Sequence, residues 1–256
     1  MSTAEAVTYT RQGRVVEIRL NRPDKLNAVN DDLINGLGDA LLRFDTDPDG
    51  WIAIISGEGR AFCAGADVSS RLGRAPDRAN SRFSKMTVLL QDFENTKPVI
   101  CAVHGYAYGA GFRLVLHSDL AVADTTAKFQ LTEVVRGIDG AHIWAEMNLR
   151  GFGTFADDVA LTGRVFGAEE AYTRGVINWL APAGTHLEVA HELAEQVLGN
   201  PPLVIRALVR SRRNGLKVLN AQTSVVRLER SLNKTNDFRE SVAALKEKRK
   251  PVYTAT

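Results

Sequence analysis

Two apolar runs, each followed by a turn of small residues, do most to constrain how this 256-residue chain can fold. The first run, WIAIIS at 51–56, leads through a short loop to the turn AGAD at 64–67. The second run, PVICAVHG at 98–105, leads to the turn GAG at 109–111. The length and aliphatic content of both runs predict buried strands, and the segment after the second turn predicts a short helix from Gly111 to about His117.

The remaining hydrophobic spacing predicts a mixed α/β body followed by a helical end. The further elements of the body are a hairpin over 7–23, a helix over 31–47 capped by Asn30 or Asp31, a strand over 120–124, a helix over 168–174 and a strand over 176–180. After Pro182 the pattern predicts only helices, over 187–198, 203–218, 223–236 and 238–248. We therefore expect a core region over 1–185 and a helical region over 186–256.

Composition limits the class of protein. Apolar residues make up 45% of the chain and charged residues 24%, which is ordinary for a soluble globular protein. No apolar run approaches the roughly 18 residues that a membrane span needs, and no basic-then-apolar signal peptide is evident. Cys63 and Cys101 are too few for a disulfide framework. We expect a cytoplasmic protein that does not enter a membrane.

The charge is small overall but unevenly distributed. The net charge of +2 does not indicate a nucleic-acid-binding protein. Residues 201–256, however, hold 13 Lys/Arg against 4 Asp/Glu. One interpretation is a solvated basic helical region that complements an acidic body. The other is that this region contacts a polyanionic ligand.

Several common sites are excluded by their motifs. GYAYGAG at 105–111 lacks the spacing of a dinucleotide-binding loop, and the chain has neither a P-loop nor a G-x-S-x-G nucleophile elbow. The five histidines do not occur at metal-ligand spacing. Neither a metal nor a flavin is implied. The two small-residue turns remain, and they indicate either tight packing or a pair of backbone N–H groups aimed at one carbonyl oxygen, which is an oxyanion hole.

Taken together, the motifs resemble those of the crotonase family, also called the enoyl-CoA hydratase/isomerase superfamily. They are LNRPDKLNAV at 20–29, AFCAGAD at 61–67, VHGYAYGAG at 103–111, LTGRVFGAEEAYTRGVINWL at 161–180 and LKEKRKP at 245–251. The resemblance runs from about residue 7 to residue 251 in the family's order. It implies an α/β, crotonase-like spiral of ββα turns with a C-terminal helical region that builds homotrimers, usually paired into hexamers.

The resemblance also implies an acyl-CoA substrate and a thioester enolate intermediate, with coenzyme A as part of the substrate and no separate cofactor. By position, the oxyanion-hole amides are those of Ala66 and Ala110, although the family more often has glycine at the second position. The CoA moiety would pass Lys25, Leu26, Ala28, Ala64, Asp67, Val68 and Gly109. Lys248 falls where some members place a lysine of a neighbouring subunit near the nucleotide phosphates.

The chain departs from the family at one of its two catalytic carboxylates. Hydratases of this family hold a water between two glutamates, which correspond to positions 113 and 133; this chain has Arg113 and Glu133. Arginine is neither a general acid nor a general base near neutral pH, because its pKa exceeds about 12. Two-carboxylate hydration is therefore disfavoured, and a double-bond isomerisation with Glu133 as the only base is favoured.

The loop after Glu133, VVRGIDGAHIWAEM at 134–147, also lacks the proline that is usual in the family. Asp139 and His142 are candidate substitute acids, and His142 is equally interpretable as a structural histidine. Tyr108 and Trp144 are either pocket walls or core residues. The pocket lining is expected mainly in residues 69–93, whose arginines are Arg71, Arg74, Arg78 and Arg82.

Three functions remain open from the sequence. The first is an acyl-CoA enzyme using enolate chemistry with Glu133 as base, most simply an enoyl-CoA isomerase or an atypical hydratase. The second uses Arg113 to bind an anionic substrate bidentately, for C–C hydrolysis, ring opening or decarboxylation of an acyl-CoA. The third is a catalytically inactive protein that binds acyl-CoA, which tight binding without any product would indicate.

Overall fold

The computed structural model describes residues 5–67, 96–229, 232 and 235–255 of the chain. Its backbone divides into two compact units. The first unit comprises Met1–Phe129 and Phe166–Asn214, and the second comprises Gln130–Val165 and Gly215–Thr256. The predicted division into regions 1–185 and 186–256 stays a prediction.

The described elements alternate between strands and helices until about residue 181. The strands are β1 (Val7–Gln12), β2 (Val15–Leu20), β3 (Ile52–Gly57), β4 (Val99–Val103), β5 (Tyr106–Tyr108), β6 (Leu120–Asp124), β7 (Lys128–Gln130), β8 (Phe166–Gly167) and β9 (Trp179–Ala181). The helices are α1 (Asp31–Thr46), α2 (Ala110–His117), α3 (Ala141–Leu149), α4 (Thr154–Thr162), α5 (Ala168–Thr173), α6 (His186–Leu198), α7 (Pro202–Glu229) and α8 (Asn236–Glu247). Two 3₁₀ turns lie at Pro23–Lys25 and Val134–Arg136.

A six-stranded sheet forms the centre of the first unit, in the order β1-β2-β3-β4-β6-β9. β1 and β2 form an antiparallel hairpin through Gly13, and each later neighbour pairs in parallel. Every residue of β3 and β4 is buried. Strands of a parallel sheet are covered on both faces, which explains why these two read as continuous apolar runs in the sequence.

Helices α1 and α6 cover parts of this sheet. Asn30 caps α1 by accepting a hydrogen bond from the N–H of Leu33 at 3.0 Å, and α1 packs on the hairpin. α6 packs on β3, β4 and β6, where its Ala190 and Leu193 join Ile54 in one apolar cluster. The sheet is thereby fixed as the rigid support from which the loops at its carboxyl edge extend.

Helix α2 is held by aromatic packing behind its first turn. The Phe112 ring lies 6.0 Å from that of Phe129 and 5.6 Å from that of Phe166, edge to face in both cases. Phe129 and Phe166 belong to the small sheet of β5, β7 and β8. Since Phe112 is fully buried, this contact fixes the rotation of α2 about its axis and with it the direction of its N-terminal amides.

The basic C-terminal region supplies ion pairs to the body. Within α7, Arg212 and Arg213 contact the two oxygens of Asp119 at 2.7 and 2.8 Å, and Asp119 also accepts the N–H of Val99 at 2.8 Å. For these two arginines the interpretation as a charge complement of the body is supported. The remainder of the basic region stays open to either interpretation.

The mixed α/β class and the helical C-terminal region are confirmed, with three local differences. The predicted strand over 176–180 is limited to Trp179–Ala181, because the N–H of Val176 closes helix α5 on Ala171 at 2.8 Å. The helices predicted over 203–218 and 223–236 are one helix as far as Glu229. Helices α3 and α4, and the strands β5, β7 and β8 of the small sheet, were not predicted.

Candidate active site

The two small-residue turns pack directly against each other in the first unit. Gly65 has a φ of +95°, and a Cβ built on it would lie 3.0 Å from the carbonyl oxygen of Tyr108. A Cβ on Gly111 would lie only 2.3 Å from the carbonyl oxygen of Cys63. Both positions are closed to larger residues, because the two backbones approach each other too closely for a side chain between them.

Ala66 and Ala110, the predicted oxyanion-hole residues, lie in this contact region. Ala66 pairs with Val29 in a parallel bridge. The N–H of Val29 donates to the carbonyl oxygen of Gly65 at 2.8 Å, and the N–H of Asp67 donates to the carbonyl oxygen of Val29 at 3.0 Å. That pattern turns the N–H of Ala66 itself away from Val29. Ala110 begins α2, where backbone amides have no partner inside the helix. Both alanines are partly exposed.

Five of the residues predicted to contact CoA, Lys25, Leu26, Ala28, Ala64 and Asp67, lie on the two segments that meet at Ala66. The N–H of Ala64 donates to the carbonyl oxygen of Leu26 at 3.0 Å, which joins the first turn to the segment 22–29. The exposed or half-buried members of this set are Lys25, Leu26, Ala28 and Ala64. Gly109 is buried at a φ of +49°, and Val68 lies outside the described residues.

Sequence reasoning missed the importance of Asn27. Its side chain is fully buried, donates to the carbonyl oxygens of Glu58 at 2.9 Å and Ala61 at 2.8 Å, and accepts from the N–H of Arg22 at 2.7 Å. Asn27 and the preceding Leu26 both have a left-handed backbone, with φ of 54° and 50°. The available signal was that asparagine is one of the few residues that tolerate this conformation and bond locally.

Arg113 is buried in α2, with 7% of its surface exposed. Its backbone N–H donates to the carbonyl oxygen of Gly109 at 2.9 Å. Helical spacing puts Arg113 on the same face of α2 as Ala110, three residues earlier, and His117, four residues later. The guanidinium is therefore an interior charge of the first unit rather than a solvated one.

Glu133 lies in the second unit and is half-buried. Its carbonyl oxygen accepts the N–H groups of Arg136 at 3.1 Å and Ile138 at 2.9 Å, which closes the 3₁₀ turn after it. A Cβ on Gly140 would lie 3.2 Å from the Cβ of Glu133, so the following loop packs onto the stem of its side chain. Helix α8 supports the same turn, because the Ser241 hydroxyl donates to the carbonyl oxygen of Arg136 at 2.7 Å.

The other candidates in this loop have different surroundings. One Asp139 oxygen accepts the N–H of Ala141 at 2.9 Å, at the start of α3. His142 is buried in α3, as is Glu146, which sequence reasoning missed. Trp144 is 41% exposed and its indole N–H donates to Asp157 at 2.7 Å, so it is a surface residue of the second unit.

Lys248 is exposed at the end of α8, with a left-handed φ of 53°. The chain beyond it folds back on the helix: Arg249 contacts both oxygens of Glu240, and the N–H of Val252 donates to Glu240 at 2.8 Å. These hydrogen bonds lower the pKa of Glu240 to about 2. The segment 69–93 and its arginines lie outside the described residues.

A separate buried polar cluster lies at the carboxyl edge of the main sheet. The rings of His104 and His186 stack with their centroids 4.5 Å apart, and Nδ1 of His186 lies 3.1 Å from Asp124. Burial, and then the neighbouring His104, lower the pKa of His186. Burial opposes ionisation of Asp124, but hydrogen bonds from Thr126 and the N–H of Gly184 outweigh it and hold the pKa of that carboxyl below its ordinary value.

Within the described ranges, no group of three or more His, Cys, Asp or Glu side chains is arranged to hold a metal ion. The helices of the same residues include none long and apolar enough to cross a membrane. Cys63 is buried beside the first turn, and burial raises the pKa of its thiol to about 11. The thiol is therefore protonated and unreactive at neutral pH.

The chain matches known proteins over almost its whole length. The family model for enoyl-CoA hydratase/isomerase matches residues 10–256. Carnitinyl-CoA dehydratases of Salmonella heidelberg and Proteus mirabilis are 35% and 33% identical to it, over 98% of each chain. A crystal structure of carnitinyl-CoA hydratase from Mycobacterium avium is 33% identical with a TM-score of 0.82, covering 99% of this chain and 100% of that one. One of an enoyl-CoA hydratase/isomerase from Pseudoalteromonas atlantica is 25% identical with a TM-score of 0.84, covering 97% and 100%. The chain thus belongs to the enoyl-CoA hydratase/isomerase family, the crotonase superfamily.

Proposed function

We propose that this protein binds an acyl-CoA thioester, stabilises its enolate with the backbone amides of Ala66 and Ala110, and uses Glu133 as the base. Coenzyme A enters as part of the substrate, along Lys25 and its neighbours in the segment 22–29. The proposed assembly is a homotrimer or a pair of trimers, in which Lys248 of one subunit serves the nucleotide end of CoA bound to another.

The packing of the two turns is the observation that carries this proposal. Gly65 and Gly111 let two backbones meet at distances that no side chain would permit. That contact makes Ala66 and Ala110 neighbours of one interface, each with an amide that is not used by its own element. Amides fixed in this way stabilise an oxyanion without reorganising during the reaction, and one such donor is worth about 10²–10³ in kcat.

Double-bond isomerisation is the simplest reaction for the side chains at positions 113 and 133, where hydratases of the family have two glutamates. Enolate formation needs one base to remove a proton from the acyl chain, and the same group returns it at a different carbon. Glu133 is sufficient for both steps. Water addition needs a second group to activate or orient the water, and Arg113 cannot accept a proton near neutral pH.

A second candidate is the reversible elimination of water from a hydroxyacyl-CoA. It is favoured by the similarity to proteins named carnitinyl-CoA dehydratase, at 35% identity over 98% of the chain. In this chain the reaction would require a group other than residue 113 to handle the hydroxyl. Asp139 is the candidate, since it lies on the loop that packs against Glu133.

Incubation in D₂O with β,γ-enoyl-CoA, α,β-enoyl-CoA and 3-hydroxyacyl-CoA separates these reactions. Isomerisation gives a product of a different retention time, with solvent deuterium only where Glu133 exchanges its proton with the solvent before returning it, whereas hydration adds the mass of one D₂O. Parent protein and Glu133→Gln are compared, with Glu169→Gln, an exposed residue of α5, as the control. Full turnover by Glu133→Gln would exclude this base. Binding without any product would leave two functions, a reaction of anionic acyl-CoA substrates and an inactive acyl-CoA-binding protein.

A further inference from the structure

Arg22 lies between the two segments that surround Ala66. We propose that it is a positioning residue, which aims the Ala66 amide by fixing the segment 22–29 against the turn 64–67. This role rests on the proposed function, because it concerns the oxyanion-hole donor named there. Arg22 itself would touch neither the substrate nor the reacting atoms.

The guanidinium of Arg22 makes one contact with each segment. One terminal nitrogen donates to the carbonyl oxygen of Ala28, and the other contacts Asp67 Oδ2 at 3.1 Å. Ala28 directly precedes Val29, and Asp67 directly follows Ala66. The fork of one side chain therefore spans the backbone bridge between Val29 and Ala66.

That bridge determines where the Ala66 amide points. Two backbone hydrogen bonds define it, from Val29 to Gly65 and from Asp67 to Val29, and a third, from Ala64 to Leu26, joins the same two segments. Rotation of the peptide before Ala66 would break the bridge pattern and swing its N–H away from the carbonyl it is proposed to bind. The contact of Arg22 with Asp67 resists this rotation, because it fixes the side chain of the residue that directly follows Ala66.

The local backbone of the segment is strained and is held from several sides. Leu26, a bulky residue, has a left-handed φ of 50°, and Asn27 follows at 54°. A left-handed backbone is unfavourable for a bulky residue such as Leu26 and persists only where the surroundings fix it. Here the surroundings are the buried Asn27 amide, which accepts from Arg22 N–H, and the Arg22 guanidinium. Arg22 thus holds both ends of the strained turn.

Burial explains why an arginine is used. The Arg22 side chain is 19% exposed and that of Asp67 is 9% exposed. A carboxylate this far from solvent needs a hydrogen-bonded partner, and a planar guanidinium can donate to it and to a carbonyl at once. A lysine would retain the charge but would act as a single point donor, so it could not bridge the two segments in the same fixed geometry.

The test separates carbonyl polarisation from turnover. Butyryl-CoA carrying ¹³C at the thioester carbonyl is bound to the full-length parent, Arg22→Lys, Arg22→Ala and the control Arg11→Ala. Arg11 pairs with Asp47 on the exposed edge of the β1 hairpin. Infrared difference spectra report the downshift of the carbonyl stretch that oxyanion-hole donors cause, and titration gives the CoA affinity.

We expect the downshift of the carbonyl stretch to be reduced in both Arg22 variants and unchanged in Arg11→Ala. The Kd for butyryl-CoA should stay within about threefold of the parent value in all three variants. Turnover should fall about 10- to 100-fold in kcat with little change in KM, the size expected when one donor is misplaced. Guanidinium ion should partly restore kcat in Arg22→Ala. Rescue by the free ion is a result that a merely structural role would not give.

Two results would overturn this role while leaving the proposed function intact. One is a parent-like downshift in Arg22→Lys and Arg22→Ala; the other is loss of folding in both, which would make Arg22 a general structural residue. A parent protein that binds butyryl-CoA without any downshift would instead refute the oxyanion hole itself. The failures of the two proposals are therefore distinguishable.

Discussion

Replacement of Gly111 by alanine should disrupt the contact between the two turns. A Cβ at this position would lie 2.3 Å from the carbonyl oxygen of Cys63, 2.8 Å from its Cβ and 3.1 Å from its carbonyl carbon. Ordinary contact begins near 3.4 Å, so the backbones must separate by about 1 Å. The contacted atoms belong to a buried backbone and its first side-chain carbon, which cannot rotate aside.

The magnitude follows from two opposing effects. Alanine is favoured over glycine in a helix by about 1 kcal/mol. Overpacking of a rigid interior site costs about 1–3 kcal/mol, and the backbone contacts place Gly111 at the upper end. We expect Gly111→Ala to lower the free energy of unfolding by about 2 kcal/mol. Turnover should fall about 100-fold, because a misplacement of about 1 Å carries that cost.

Gly215→Ala is the matched control. Gly215 also lies in a helix, α7, but a Cβ built there meets no atom of the residues that the structure describes within 4 Å. Only the helix-propensity gain applies, so stability should rise by up to about 1 kcal/mol and turnover should stay unchanged. Urea denaturation and acyl-CoA turnover are measured for both variants. A Gly111→Ala protein as stable and as active as Gly215→Ala would refute the packing argument and the proposed oxyanion hole together.

Three further predictions concern charged groups. Glu133→Gln should abolish turnover with little change in acyl-CoA affinity, measured by calorimetry, because the amide keeps the shape and loses the base; undiminished turnover would contradict this. Arg113→Glu should bring measurable addition of water to crotonyl-CoA, with a rate gain within the roughly 10²–10⁴-fold that one placed acid–base group contributes. If Arg113 instead binds an anionic substrate, Arg113→Ala should selectively weaken the binding of carboxylated acyl-CoAs. Burial lowers the pKa of His186, so the unfolded chain binds the proton more readily and stability should be lost as the pH falls below about 6.5. In His186→Asn the free energy of unfolding should depend less on pH between about 7.5 and 5, and an equal slope in both proteins would contradict the assignment to His186.

Local pattern was sufficient to predict the elements whose burial is uniform or strictly periodic. β3 and β4 are buried at every position and read as short aliphatic runs, and α1 buries Leu33, Leu37 and Leu41 along one face. Helix α3 escaped prediction because its buried residues, among them His142 and Glu146, are partly polar and do not form an apolar stripe. Helix α7 was divided in error at residues 219–222, which separate the two predicted helices in the sequence but belong to one continuous helix in the structure.

The sequence predicted two turns that could act on one carbonyl oxygen, but it did not predict the contacts that join them. Motif resemblance named Ala66 and Ala110, but the contact between Gly111 and Cys63 joins residues almost fifty positions apart and leaves no local pattern. The contact of Arg22 with Asp67 has the same character. Such long-range contacts depend on the register between segments, which the spacing of residues along one segment does not specify.

The arginine at position 113 changes which chemistry the proposed site can perform. The N-terminus of α2 already carries the partial positive charge of its free amides, and a buried guanidinium in the following turn adds a full charge to the same helix. Both favour negative charge on a ligand, as an enolate oxygen or a carboxylate. Neither accepts a proton near neutral pH, so the proton must leave to another residue. In the proposed reaction Glu133 would move a proton from one carbon to another without a second carboxylate, whereas residue 113 offers no base for the activation of water. Under the proposed function, position 113 therefore contributes positive charge and no base, and a reaction that needs two carboxylates would have to take the second one from elsewhere in the chain.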